Sequence, residues 1–305
     1  MLCMILVSCT GQKTGKENDN NDKIAIEVGE IKFPPQDVLQ LKSYYLSSSV
    51  HVDSIDYLIG YNYRLHSLDC MNLKSKSVTQ IVLPGDGPDA IVRLSGIYAQ
   101  SLDSVWISDE SERAFLIDSV GTIKRMIDLK KYLEDQEQLL INTNYAMFTS
   151  HLFYNASRHS LMFLVKHTPS NTFIVKEAFI DEVGKMATYQ LSSSKVVPDM
   201  SKGYAYINFP NVNFVGENIV YNYPVESSIY MLDIRTNERK YILADSHYTS
   251  NIIEKCTTSG DYATLEKHWL ENSHFYDIMY LPKYKIYARL HADKVDFDEK
   301  KGMEK

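Results

Sequence analysis

Between about residue 50 and residue 290 the chain is built from short apolar and aromatic runs, each ended by Asp, Asn, Ser or Gly. The clearest run is Val105-Trp106-Ile107-Ser108-Asp109, followed after a short turn by Arg113-Ala114-Phe115-Leu116-Ile117-Asp118, a turn through Gly121, and Ile123-Lys124-Arg125-Met126-Ile127. Runs of five or six residues that stop at turn chemistry predict consecutive antiparallel strands. The unit recurs: Tyr57–Asn62 leads to Arg64–Asp69, Leu161–Val165 to Ala178–Asp181, and Ile219–Tyr223 to Ile229–Asp233. A further apolar run precedes each copy, at Val50–Val52, Gly96–Ala99, His151–Tyr154 and Val212–Val215. Four strands per unit, repeating roughly every fifty to sixty residues, predict the sheets of a β-propeller. Asp69, Asp118, Asp181 and Asp233 close the units, and an Asp that accepts backbone N–H groups in a tight turn needs no further role.

Outside the repeat, Ile24–Ile31 alternates with period two and predicts a lone strand that closes the ring by pairing with its last blade. Two stretches have helical spacing instead. One is Leu129–Leu140 behind an Asp128 cap, and the other is Asp261–Glu271 with Tyr262, Leu265, Trp269 and Leu270 on one side. After each of them the chain repeats itself, since Ser150-His151-Leu152-Phe153-Tyr154-Asn155 answers Ser273-His274-Phe275-Tyr276-Asp277. The count is then four full blades, the first two strands of a fifth, and the lone strand. The expected fold is all-β, a six-bladed propeller of four-stranded antiparallel blades with two short helical insertions. It is C-terminally incomplete in this chain by roughly 60 residues on the fifty-residue ruler.

Composition narrows the function. The formal net charge is −7 and no basic run occurs, which argues against a sequence-independent nucleic-acid binder. The 44% of hydrophobic residues suffices for a large core, and 22 tyrosines suit strands with one wet face. Of the four cysteines, Cys3, Cys9, Cys70 and Cys256, no two have the C-x-x-C spacing of zinc or redox sites. A disulfide between Cys70 and Cys256 requires the fold to bring their Cα atoms within reach, a matter of distance and not of spacing.

At the N-terminus an almost wholly apolar run, Met1 to Val7, ends in Leu6-Val7-Ser8-Cys9, which resembles the lipobox of bacterial lipoproteins. The resemblance implies cleavage before Cys9 and a lipid on its thiol. Residues 1–8 are then a signal peptide, short at its start and without Lys or Arg, and residues 9–22 a lipidated Cys with a polar tether of about 20 Å root-mean-square span. Residues 23–305 form the propeller domain. Thr10 after the Cys is not the Asp of inner-membrane retention, so the implied address is the cell envelope, at the outer membrane, with a monomer expected.

Val105–Asp109 through Arg113–Asp118 and Gly121 resembles an NHL-type blade. Together with the lipobox and the Gly85-Asp86-Gly87-Pro88 loop it is similar to the NHL/TolB-like six-bladed lipoproteins of Bacteroidota grouped as the DUF4221 domain of unknown function. That resemblance speaks to fold, and implies no reaction.

Signatures of hydrolases, zinc proteases, phosphate loops and EF-hands are missing. Two sets of residues remain as candidates. His151, His274, Asp277 and Asn155 fall on matched first strands, which in a propeller line the central channel, and imidazoles there could act as acid and base or hold a metal. Arg64 and Arg113 fall at matched strand starts and could meet an acidic ligand. The sequence favours a binding or scaffold module for a protein or glycan, with no cofactor or metal. The alternative is a metal-assisted hydrolase of the lactonase sort, for which the first strands supply few carboxylates beyond Asp277.

Overall fold

The computed structural model describes residues 30–33, 44, 46–140, 152–195, 209–247, 249–256, 262–282 and 284–295. The lipobox with Cys9, the tether, residues 24–29 of the alternating stretch Ile24–Ile31 and His151 lie outside the described residues.

Blade one is β1 (Ser47–Val52), β2 (Ile55–Asn62), β3 (Ser67–Asn72) and β4 (Val78–Val82). Blade two is β5 (Leu94–Ser101), β6 (Ser104–Asp109), β7 (Arg113–Ile117) and β8 (Ile123–Asp128). A short strand, β9 (Glu137–Leu139), precedes blade three, which is β10 (Leu152–Asn155), β11 (Ser160–His167), β12 (Thr172–Phe179) and β13 (Met186–Gln190). Blade four is β14 (Asn211–Val215), β15 (Asn218–Asn222), β16 (Ile229–Asp233) and β17 (Arg239–Ile242). Helix α1 (Tyr262–Glu271) then leads to a two-stranded sheet of β18 (His274–Leu281) and β19 (Ile286–Ala292). Within every blade the strands run in sequence order and pair antiparallel.

First strands meet across blades, β1 against β5, β5 against β10, and β14 against β18. They are therefore the inner strands. Between neighbouring sheets the apolar faces form one core each. Ile59 and Leu68 pack with Ile97 and Phe115 between blades one and two, Trp106 with Leu161 and Phe163 between two and three, and Met162 and Leu164 with Tyr221 and Leu232 between three and four. Burial of this apolar surface is what holds radially arranged sheets together. Polar side chains add specific links. Asn211 and Asn213 of β14 donate their amides to the carbonyls of Phe275 and Ile278 at 3.1 and 3.0 Å, so the inner strand of blade four is tied to β18 by side chains.

The structure corrects several expectations. The described residues build a four-bladed propeller, with the β18–β19 sheet packed beside the fourth blade, and not a six-bladed one. The larger count rested on assigning a blade to the lone alternating stretch and on extending the repeat beyond the residues present. Only one of the two helices forms as read. Asp128 caps a turn, its carboxylate accepting the Lys130 N–H at 3.2 Å, but the turn is a 3₁₀ segment of four residues, Leu129–Tyr132. The following residues leave it and become β9, which pairs with β11. Asp69 is not a turn residue either. The turn between β2 and β3 is longer than that between β6 and β7, so Asp69 lies within β3, wholly buried, and accepts from Tyr44, Asn62 and Gln80 at 2.5, 3.0 and 2.6 Å. Asn72 holds the turn instead, accepting the N–H groups of Lys74 and Ser75.

Asp118 and Asp233 do act as turn acids. Asp118 accepts from Val120 and Thr122, and Lys124 lies 2.7 Å away, which together with the backbone donors holds its carboxyl at about 2. In that turn Gly121 has φ +87°, and a Cβ there would lie 2.4 Å from the Val82 carbonyl oxygen of blade one. Only glycine fits both the backbone angle and that approach. Asp233 accepts from Arg235 and Thr236. Asp181 reaches further, to His159 and, at 3.5 Å, to Arg125 of blade two.

Candidate functional site

The inner strands of blades two, three and four converge on a cavity of about 320 Å³ at the end of the ring where first strands turn into second strands. Tyr98 comes from β5, Phe153, Tyr154 and Asn155 from β10, and Asn213 and Phe214 from β14. The turns after β10 and β14 supply Ser157, Gly216 and Glu217. Local chemistry sets both turns. Asn155 ends β10 by accepting the Ser157 N–H at 3.1 Å and the Ser157 hydroxyl at 2.8 Å. Gly216 at φ +61° allows the two-residue reversal from Val215 to Asn218.

One hydrogen bond joins the two turns: the Ser157 hydroxyl lies 2.9 Å from Glu217 Oε1. The aromatic wall is continuous, with Tyr98 edge-on to Phe153 at 6.3 Å and Phe153 tilted against Phe214 at 4.5 Å. Behind Tyr154 stands Trp106, stacked at 6.0 Å. Burial, with the neighbouring Tyr154, raises the Tyr98 phenol above its ordinary range, and burial followed by Asp181 raises Tyr154. Both rings therefore stay neutral at physiological pH. Such a concave, mostly aromatic site with a few converging polar groups suits a small ligand or a side group of a larger one.

Among the residues expected to line a channel, Asn155 stands in the wall of this cavity, and His274 and Asp277 do not. His274 begins β18 and is buried against Trp269 of α1, ring centres 3.6 Å apart, with Tyr276 Oη and the Asn272 carbonyl each 3.2 Å from its ring nitrogens. Burial depresses it to about 4. It is a packed, neutral histidine. Asp277 sits at the irregularity in β18 between Phe275 and Ile278, where the pairing with β19 slips.

The two arginines are not equivalent. Arg113 begins β7, donates to Asp109 at 2.6 Å and to the Ala90 carbonyl at 2.7 Å, and lies over the Phe115 ring, so its charge is spent within blade two. Arg64 lies exposed in the turn before β3, away from the strand start expected for it. Cys70 and Cys256 are not joined to one another. Burial, and then the charge of Asp69, pushes the Cys70 thiol up to about 11, which leaves it without a reactive thiolate.

Sequence reasoning missed Tyr98, Phe153, Phe214 and Glu217. A signal for them existed, because each of three successive first strands carries an aromatic residue and the turn after two of them carries a polar acceptor. Among the described residues no three of His, Cys, Asp and Glu gather as a metal site. That argues against the lactonase alternative.

The fold and this mouth together define a β-propeller with a small aromatic receptacle at one end of its inner strands. In comparison with known proteins, no family model matches the sequence, and no curated protein does. A member of the DUF4221 family from Bacteroides vulgatus is similar in structure, with a TM-score of 0.65 at 14% identity over 88% of this chain and 76% of that one. The WD40 domain of SCAP from fission yeast follows at 0.39, with 10% identity over 70% and 56%, and AztD from Citrobacter koseri at 0.36, with 13% over 66% and 47%. The first likeness shows a propeller of this general type. At 14% identity it shows the fold alone and not membership of that family, and the expected six blades are corrected to four.

Proposed function

We propose that the protein is a non-enzymatic binding module, held at the cell envelope by a lipid on Cys9, that takes a group borne by a protein or glycan into the inner-strand mouth. The observation that carries this reading is the cavity itself. Three blades and two turns contribute to its wall, and its size of about 320 Å³ is that of a recognition pocket. The Leu6-Val7-Ser8-Cys9 box and the polar tether after it support the anchor and the outer-membrane address. Loops and strand ends carrying recognition on a rigid scaffold fit a fold that imposes no chemistry of its own.

The test is retention of arrayed envelope glycans and short peptides by the folded protein. Phe214→Ala is expected to lower retention about ten-fold, as loss of a central aromatic anchor does, and Arg64→Ala, on an exposed turn, to leave it unchanged. Retention indifferent to Phe214→Ala contradicts the reading. So does turnover of a lactone, ester or glycoside panel that disappears in Asn155→Ala.

A further inference from the structure

We infer that the mouth selects an organic cation, an ammonium or guanidinium group, an inference that rests on the mouth being the binding site. Its walls offer the aromatic rings of Tyr98, Phe153, Tyr154 and Phe214, whose faces carry the negative end of the ring quadrupole. Among the described residues the lining contains one ionisable carboxylate, Glu217, and no Lys or Arg.

Hydrogen-bond supply inside the mouth is unbalanced. Ser157 has one hydroxyl proton, yet two acceptors stand within reach of it, Asn155 Oδ1 at 2.8 Å and Glu217 Oε1 at 2.9 Å. Asn155 Oδ1 also holds the Ser157 N–H at 3.1 Å, so it is Glu217 Oε1 that loses its donor when the hydroxyl proton turns to Asn155. The second oxygen of Glu217 is buried and has no hydrogen-bond partner among the described residues. A carboxylate in this position is under-compensated, and burying charge without a counter-charge is costly. A ligand that brings positive charge offsets Glu217 and lies against the rings, and one that also carries N–H donors satisfies the acceptors as well. An anion meets repulsion, and a neutral hydroxyl compound supplies donors without the charge. The cation has two natural sources, a lysine or terminal amine of a peptide and the amine of an amino sugar.

Calorimetric titration of the folded chain at low salt and neutral pH tests this with choline and 3,3-dimethylbutan-1-ol, its uncharged isostere. Choline is expected to bind about ten-fold more tightly than the alcohol, the preference a cation gains in a partly desolvated aromatic site. Glu217→Gln, with an unchanged melting temperature, is expected to bring the two within about two-fold. Phe214→Ala is expected to weaken both. Nα-acetyl-lysine methylamide and glucosamine, run alongside, separate the sources: the tighter of the two identifies the bearer as peptide or glycan. Equal binding of choline and the alcohol, both lost in Phe214→Ala, overturns the cation inference and leaves the mouth as the site. Binding of choline that Glu217→Gln does not change overturns it too, as does failure of every cationic probe to bind while arrayed ligands are still retained through Phe214.

Discussion

Replacing Lys176 with methionine is expected to destabilise the fold by about 3–5 kcal/mol, the cost of breaking a buried ion pair by removing one partner. Lys176 lies on β12 with its side chain wholly buried, 2.9 Å from Glu137 and 3.2 Å from Glu134. Glu137 is itself 3% exposed and begins β9. Methionine fills much the same space as the lysine stem, so the effect isolates the charge left behind on Glu137. Urea unfolding at neutral pH reads it as a lower midpoint at unchanged slope. The double variant Lys176→Met with Glu137→Leu is expected to regain most of the loss, since removing both charges removes the uncompensated one. A single variant within about 1 kcal/mol of the parent contradicts the assignment, because surface pairs are worth no more than that.

Acid is expected to loosen the β18–β19 sheet between pH 6.5 and 4. His274 is depressed in the folded chain to about 4, chiefly by burial against Trp269, so the unfolded chain takes up the proton first. Its contribution is fully present above pH 6.5 and drains as the pH falls toward 4, amounting to about 3 kcal/mol at the conversion of 1.36 kcal/mol per pH unit. His291 across the sheet is depressed in the same direction, by burial and then by Arg289, and is partly exposed, so it adds less. The turn carboxylates act in a separate, lower window, as Asp118 at about 2 illustrates. Melting temperature followed from pH 7.5 to 4 is expected to fall more steeply in the parent than in His274→Phe, which keeps the aromatic packing and cannot titrate. Parallel curves contradict a buried, neutral His274.

Much of this fold was legible in the chain because strand and turn signals are local. The runs around Val105–Asp109 and Ile219–Tyr223 became β6 and β15 nearly as written, and Asp118 and Asp233 closed their turns. The failures came where distant residues decided. Leu129–Leu140 has helical spacing and a working cap at Asp128, yet Glu137–Leu139 gains a strand partner in β11 and a buried cation in Lys176, and these outweigh helix propensity. Asp69 was misplaced because the length of the turn between β2 and β3 cannot be read from composition, and a shift of a few residues moves an acid from a turn into a core. The mouth was half visible. Asn155 was singled out through its match to Asp277, but which face of β5, β10 and β14 looks into the ring depends on how the blades pack. The pairing of Ser157 with Glu217 joins residues sixty positions apart.

Amide hydrogen exchange with and without saturating choline tests the central claim most directly, since it reports where a ligand sits and not merely that one binds. Slowed exchange at the turns after β10 and β14, around Ala156–Ser157 and Gly216–Glu217, with the opposite strand ends unchanged, is the result predicted for a ligand seated in the inner-strand mouth. Exchange unaltered at those two turns, or slowed at the other end of the blades, contradicts it.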